Sequence, residues 1–145
     1  MKMQALYQST KSENTYKLSG IISREHKCKC DQIPPAYPCE NEMLVLLCFE
    51  NYGKIDKNLV KFCEDLSTAR ATNVGLIILS KDGTADAGEL TAIFNKNGVK
   101  VVGTCGIAVP KGLFGAKKVS DADVKKAQEF ADATVGKLFD VSSLN

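Results

Sequence analysis

Residues 5 to 15 read ALYQSTKSENT. A short apolar run ends in a cluster of small hydroxyl and amide side chains, and a segment with helical periodicity begins directly after it. A strand that leads through such a turn into a helix brings backbone N–H groups, hydroxyl donors and the positive end of the helix dipole together. The stretch therefore predicts a phosphate-binding turn with Ser9, Thr10, Ser12, Thr15 and the cationic Lys11 around it. The same composition also forms ordinary turns and helix caps, so this second interpretation stays open.

Four more strand-like runs follow the first along the chain. The third run, MLVLLCF, is continuously apolar and is typical of a strand that is buried on both faces of a sheet. The second run alternates polar and apolar residues, as an edge strand does. The five predicted strands cover residues 4–8, 27–33, 43–49, 74–80 and 99–107.

Helical segments separate most of these runs. The first is predicted over residues 14–23, and the others carry apolar side chains at helical spacing. The predicted helix-end signals are an N-cap at Asp56, capping boxes at Asp86 with Glu89 and at Ser120 with Asp123, and a C-terminal stop at Gly98.

Strands that alternate with helices predict a mainly parallel sheet with helices on both of its faces. The connection between the second and third strands, residues 32–42, contains three prolines and is expected to cross the sheet as an irregular segment. The chain shows no repeat and no domain boundary, so we expect one α/β domain over residues 1–145.

Composition narrows the class of protein. A hydrophobic content of 44% and a charged content of 25% are ordinary for a globular domain. The net charge is +2 and the lysines are spread along the chain, which argues against a nucleic-acid binder. The sequence contains no run of eighteen apolar residues, so we expect no membrane-spanning helix. The first strand starts within five residues of Met1, from which we expect no signal peptide and a cytoplasmic location.

The six cysteines fall into two groups. Cys48, Cys63 and Cys105 lie in apolar patterns and are expected in the core. Cys28, Cys30 and Cys39 lie in CKCDQIPPAYPC, which lacks the paired Cys-x-x-Cys spacing of most zinc sites. We expect a structural or incidental role for these three, while a metal site completed by His26 and a redox role remain open.

The chain resembles a small flavodoxin-like protein. In that family the first strand leads into a phosphate loop, and one variant of this loop reads SSKTGNT, where residues 9–15 read STKSENT. Four of the seven residues are identical, and Thr10 and Ser12 each keep a hydroxyl. The resemblance implies a three-layer α/β sandwich with a five-stranded parallel sheet in the order 2-1-3-4-5 and helices on both faces. It also implies that FMN is the cofactor, with its phosphate held by Ser9, Thr10, Lys11, Ser12, Asn14 and Thr15.

One residue of the loop departs from the family. Glu13 stands where the family has glycine, which allows a positive φ and a close approach of the backbone to the phosphate. A carboxylate at this position also repels a phosphate dianion. We therefore expect Glu13 to lower the affinity for FMN without changing the fold.

The resemblance implies that two further loops hold the flavin ring. The residues concerned are Glu50, Asn51, Tyr52 and Gly53 after the third strand and Asp82 and Gly83 after the fourth. Two interpretations of Tyr52 remain open: it stacks on the flavin, or it only covers the edge of the sheet. The fourth loop has no aromatic residue, which implies a ring that is exposed on one face, covered by a partner, or absent.

The segment IAVPKGLFGAKK follows the fifth strand. Leu113 and Phe114 in it form a lid or a docking patch, or fold back onto the core, which the pattern favours. Family members that carry electrons are strongly acidic, whereas this chain is slightly basic, so a dedicated redox partner protein is expected rather than a freely diffusing role.

The leading functional hypothesis is an FMN-binding redox protein, either monomer or homodimer. No catalytic or metal-binding side chains are assigned, and whether the protein is an enzyme is left open. The alternatives are a flavodoxin-fold interaction module that has lost FMN and a small flavin reductase, although no G-x-G-x-x-G motif follows a strand.

Overall fold

The computed structural model describes residues 2–139. The strands of its main sheet are β1 (Met3–Tyr7), β2 (Lys29–Gln32), β3 (Glu42–Glu50), β4 (Ala71–Ser80) and β5 (Lys100–Ala108). The helices are α1 (Asn14–His26), α2 (Lys57–Asp65), α3 (Leu90–Asn97) and α4 (Asp121–Leu138). A short hairpin, β6 (Lys111–Gly112) and β7 (Gly115–Ala116), lies between β5 and α4.

The five main strands are all parallel and lie in the order β2-β1-β3-β4-β5. This order confirms the predicted 2-1-3-4-5 sheet. The carboxyl ends of all five strands consequently lie at one edge of the sheet, which we call the carboxyl edge.

Helices cover both faces of the sheet, as predicted. On one face Leu18 of α1 and Ala131 of α4 pack against Leu46 and its neighbours on β3. On the other face Leu59 of α2 and Phe94 of α3 pack against the alternate residues of the same strand. The central strands are therefore buried on both sides, which explains their continuous apolar sequences.

Most of the predicted helix ends are confirmed. Asp56 caps α2 by accepting from the backbone N–H groups of residues 58 and 59, and Ser120 with Asp123 forms a reciprocal capping box on α4. Gly98 ends α3 with φ +77°. The prediction of a capping box at Asp86 and Glu89 is wrong, because Glu89 is the N-cap of α3 and its side chain makes no capping hydrogen bond.

The wrong capping box has a local physical reason. Asp86 accepts from the backbone N–H of Gly88 at 2.8 Å instead, and Gly88 has a φ of +55°. This left-handed residue cannot continue a right-handed helix, so α3 begins only at Leu90.

The connection between β2 and β3 is irregular, as its prolines predicted. Cys39 in it is buried against the face covered by α2 and α3, whereas Cys28 packs on the opposite face of the sheet. Their positions on opposite faces prevent a shared site. His26 does not join these cysteines, since its Nε2 lies 2.9 Å from Oδ1 of Asp132 on α4.

The core prediction for the other cysteines is confirmed, because Cys48, Cys63 and Cys105 are all buried. Between residues 2 and 139, no group of three or more histidine, cysteine or acidic side chains is arranged to hold a metal ion. Over the same residues, no helix combines the length and the apolar character that crossing a membrane requires.

Candidate functional site

The loops that follow β1, β3 and β4 meet at the carboxyl edge, together with the segment that follows β5. This arrangement is the general consequence of parallel strands, whose carboxyl ends share one edge. The contacts that join the loops are Ser12 Oγ to Glu50 Oε2 at 3.4 Å, Asn51 Nδ2 to the Asp86 carbonyl at 2.9 Å, and Tyr52 Oη to the Val109 carbonyl at 2.7 Å.

The loop after β1 turns at Glu13, which has φ 60° and ψ 13°. Its N–H donates to the carbonyl of Thr10 at 3.2 Å, and the exposed carboxylate makes no capping hydrogen bond to α1. The backbone at this position is thus left-handed, the conformation for which the family uses glycine. An L-residue adopts it at a cost of about 1 kcal/mol or more.

The hydroxyls of this loop gather at the N-terminus of α1. Thr10 Oγ1 lies 3.1 Å from Ser12 Oγ, which also accepts the backbone N–H of Asn14 at 3.2 Å. The Lys118 ammonium group donates to the Ser12 carbonyl. Ser9 and Lys11 are exposed beside these groups. The loop therefore presents hydroxyls, a lysine and a helix N-terminus to the same region.

Asn14 and Thr15 hold the loop in place with their side chains. Asn14 is 1% exposed; its Nδ2 donates to the Lys117 carbonyl at 2.7 Å and its Oδ1 accepts the Val119 N–H at 3.0 Å. Thr15 is fully buried and its hydroxyl donates to the Gln8 carbonyl at 2.5 Å. The structure places these two predicted phosphate ligands behind the loop, where they join it to β1 and to the segment before α4.

Glu50 ends β3 directly beside the loop. Its backbone N–H donates to Oε1 of Gln8 at 2.8 Å, and its half-buried carboxylate reaches Ser12. Burial raises the pKa of this carboxyl above its usual range, against the smaller opposing effects of the Lys111 charge and the Ser12 hydroxyl. The structure thus brings a carboxylate against Ser12, one of the residues predicted to hold a phosphate.

Tyr52 is held between the loop after β3 and the end of β5. Its hydroxyl donates to the Val109 carbonyl, and Nζ of Lys111 lies 4.2 Å from the ring centroid in a cation–π contact. Burial, and next the charge of Glu50, raise the pKa of Tyr52 to about 12. The side chain covers the edge of the sheet, and Lys111 occupies one face of its ring.

The loop after β4 is locked onto β5. Gly83 has φ +82° and its N–H donates to the Ser80 hydroxyl at 3.0 Å, while the carboxylate of Asp82 accepts from the hydroxyl of Thr84 at 2.7 Å. These bonds from Thr84 hold the pKa of Asp82 below its usual value. A Cβ added to Gly106 on β5 would lie 2.1 Å from the Gly83 carbonyl oxygen.

Gly106 is a structural requirement of the site that the sequence analysis missed. Glycine inside a strand is the general signal of a close backbone approach, and GTCGI in β5 carries that signal.

Two open grooves flank Tyr52. The larger one measures about 650 Å³ and the smaller about 270 Å³. The larger groove is lined by Gln8, Glu50, Tyr52, Lys54, Asp56, Lys57, Asn58 and Lys111. The smaller is lined by Asn51, Tyr52, Gly53, Ser80, Lys81, Asp82, Thr84 and Asp86. Five of the six predicted ring contacts therefore line these two grooves, whereas Gly83 lies against Ala108 of β5 and lines neither. The lysines of the larger groove were not predicted.

The hairpin after β5 projects beside the larger groove. Leu113 and Phe114 at its tip are 93% and 98% exposed, so the prediction that they fold back onto the core is wrong. The physical reason is the pairing of β6 with β7, which places these two residues in a tight turn directed away from the sheet.

Solved structures share this architecture over nearly the whole chain. A flavodoxin from Streptococcus pneumonia TIGR4 matches with a TM-score of 0.61 and 12% identity, over 93% of this chain and 98% of that one. Oxidised Flavodoxin 2 from Bacillus cereus matches with a TM-score of 0.61 and 17% identity, over 94% and 99%. The chain has the flavodoxin-like fold.

A flavodoxin-like domain from Synechococcus sp agrees, with a TM-score of 0.56, 12% identity and coverage of 96% and 99%. No protein-family model matches the chain, and the curated proteins give no match. At these identities the comparison establishes the flavodoxin-like fold, and the site must be interpreted from its own residues.

The donor set at the loop of this flavodoxin-like fold fits a phosphate. The Ser12 hydroxyl accepts the Asn14 N–H at the start of α1 and donates to the carboxylate of Glu50 at 3.4 Å, so an anionic oxygen already lies against this donor. Lys11 and Thr10 lie on the same loop. The arrangement is thus suited to bind an anion, and Glu50 lies where it would compete with one.

Proposed function

We propose that the protein binds FMN at the carboxyl edge and exchanges electrons with a dedicated protein partner. The observation that carries the proposal is the loop after β1. It combines a left-handed turn at Glu13 with the hydroxyls of Thr10 and Ser12 at the N-terminus of a 13-residue helix. A groove of about 650 Å³ lies beside this loop.

The residues divide into those that would touch the cofactor and those that position the loop. Ser9, Thr10, Lys11 and Ser12 would hold the phosphate, while Asn14 and Thr15 keep the loop attached to β1 and to the segment before α4. Asn51, Tyr52, Gly53 and Asp82 line the region proposed for the ring, and Gly83 packs the loop after β4 against β5 behind it. FMN would supply the one- and two-electron redox chemistry, and the protein would orient the ring and set its surroundings.

The hairpin is the proposed docking element for the partner. Leu113 and Phe114 are exposed at its tip, and its base contacts Tyr52 through Lys111. A partner bound there would lie beside the proposed ring site. The net charge of +2 favours a partner with an acidic surface.

The test is a titration of the purified protein with FMN, followed by flavin fluorescence. Ser12→Ala removes a loop hydroxyl and should raise the dissociation constant by about tenfold, as expected for a lost hydrogen bond to a charged group. Thr91→Ala, on the exposed surface of α3, is the matched control and should leave the constant unchanged. Absence of saturable binding by the wild-type protein would refute the proposal.

A second function is favoured by a specific pair of contacts. Glu50 accepts the Ser12 hydroxyl, and the Lys111 ammonium group lies over one face of the Tyr52 ring. Side chains of the protein therefore contact two groups that were predicted to bind the cofactor. This supports the alternative of an interaction module that has lost FMN. Such a module would bind no flavin, and Leu113→Ala with Phe114→Ala would abolish partner binding without changing stability.

A further inference from the structure

Glu50 is fixed next to the phosphate loop by the sheet itself. β3 pairs with β1 in parallel, and the Glu50 N–H donates to the Gln8 side chain at the end of β1. From this position the carboxylate oxygen Oε2 lies 3.4 Å from the Ser12 hydroxyl. The strand register therefore fixes the backbone of Glu50 beside the loop, and its half-buried side chain reaches Ser12 from there.

A ligand phosphate at this loop would approach the Glu50 carboxylate closely. A phosphate oxygen that accepts the Ser12 hydroxyl lies about 2.8 Å from it. Since Glu50 Oε2 lies 3.4 Å from the same hydroxyl, the two anionic oxygens would be no more than about 6 Å apart. At a half-buried site, like charges at this distance repel strongly.

The cations nearby are already engaged with groups of the protein. Lys111 offsets the charge of Glu50 and lies over the ring of Tyr52. The ammonium group of Lys118 donates to the Ser12 carbonyl. Lys11 is the loop cation with an exposed side chain, and Glu13, two residues further along the same loop, adds a further negative charge.

We propose that Glu50 is an internal competitor for the ligand's phosphate, so that the wild-type protein binds FMN and riboflavin with similar affinities. The inference rests on the proposed flavin binding and adds a selectivity to it. Riboflavin carries the same ring and sugar chain without the phosphate dianion. It therefore avoids the repulsion but also lacks the phosphate contacts, and the two effects offset each other in the wild-type protein.

The experiment compares the affinities of FMN and riboflavin in three proteins at one pH and ionic strength. They are the wild type, Glu50→Gln and Glu89→Gln. Glu89 lies at the same carboxyl edge, exposed in a neighbouring groove and without a side-chain bond to α3, so its substitution removes an equal charge away from the loop. Fluorescence quenching of each flavin reports its binding.

The wild-type protein and Glu89→Gln should bind FMN and riboflavin with affinities within about threefold of each other. In Glu50→Gln the ratio of FMN affinity to riboflavin affinity should rise at least tenfold. Glu50→Ala is the second variant and should shift the ratio in the same direction. Circular dichroism of each variant checks that it is folded.

Two outcomes overturn the inference, and they are distinguishable. A wild-type protein that binds FMN at least tenfold more tightly than riboflavin, with the same ratio in Glu50→Gln and Glu50→Ala, binds flavin as proposed but has no internal competitor. If neither flavin binds to any of the folded proteins, the proposed flavin binding fails and the selectivity fails with it.

Discussion

Helix α1 is bounded by two residues that are left-handed although neither is glycine. Glu13 before it has φ 60° and ψ 13°, and Lys27 after it has φ 51° and ψ 47°. We predict that glycine at either position stabilises the fold relative to glutamine at the same position. Glutamine is the reference because it removes the charge and keeps the Cβ atom that makes this conformation costly.

The magnitude follows from two opposing effects. The left-handed conformation costs an L-residue about 1–2 kcal/mol, which glycine avoids. Glycine also makes the unfolded chain more disordered, at about 0.4–1 kcal/mol. The net expectation is that Glu13→Gly is more stable than Glu13→Gln by about 0.5–1 kcal/mol, which raises the melting temperature by about 2–4 °C. Lys27→Gly and Lys27→Gln should differ by the same amount.

Comparison of Glu13→Gly with the wild type is less informative. Substitution of the glutamate also removes a favourable interaction with the N-terminus of α1, about 0.3–1 kcal/mol. The two effects nearly cancel, so the wild type and Glu13→Gly should have similar stabilities. Glu13→Gln alone should be less stable than the wild type by that same interaction.

Urea unfolding of the four variants at 25 °C, followed by circular dichroism, measures these differences. The slopes of the transitions must agree before the midpoints are compared. If Lys27→Gly is more stable than Lys27→Gln while the two Glu13 variants have equal stabilities, the strain argument fails for the loop after β1. If neither pair differs, left-handed backbone carries no measurable cost at either end of α1.

Three further predictions concern the close packing at Gly106, the side-chain hydrogen bonds of Asn14, and the thiols of Cys28 and Cys39. Gly106→Ala should lower the free energy of unfolding by about 1–3 kcal/mol, because its Cβ would lie 2.1 Å from a backbone oxygen of the loop after β4. Gly136→Ala on α4 has open space and should stabilise the protein by up to about 1 kcal/mol, and urea midpoints compare the two. Asn14→Ala should cost about 1–3 kcal/mol in the same assay, since it leaves the buried N–H of Val119 and the partly buried carbonyl of Lys117 without their partner. Burial raises the pKa values of Cys28 and Cys39 from 9.0 to about 11. The stability that these neutral thiols contribute should be complete below pH 9 and lost as the pH rises to 11, so Cys28→Ala or Cys39→Ala should flatten the fall of the urea midpoint over that range.

The fold could be predicted because its signals are local and repeated. The apolar run at residues 43–49 became β3, which is buried on both faces, and alternation with helices determined a parallel sheet. One local signal, the capping box predicted at Asp86, was misinterpreted because a residue next to it prevents the helix from starting there. Ser120 with Asp123 and Asp86 with Glu89 have the same spacing, but only the second pair encloses a left-handed glycine, Gly88.

The site was harder to predict because its decisive contacts join distant parts of the chain. The STKSENT motif predicted the turn between β1 and α1, but the left-handed backbone at Glu13 was not predicted and is a finding of the structure. Nothing in that motif shows that Glu50, 38 residues away from Ser12, lies against its hydroxyl. Likewise, Asn14 was assigned to the phosphate from its place in the motif, and its bonds to residues 117 and 119 lie outside any local pattern. A short motif thus specifies the path of the backbone around a ligand, while the charge that the ligand meets depends on the strand across the sheet. This is why the affinity for a phosphate at this loop is best tested at Glu50 as well as within the loop.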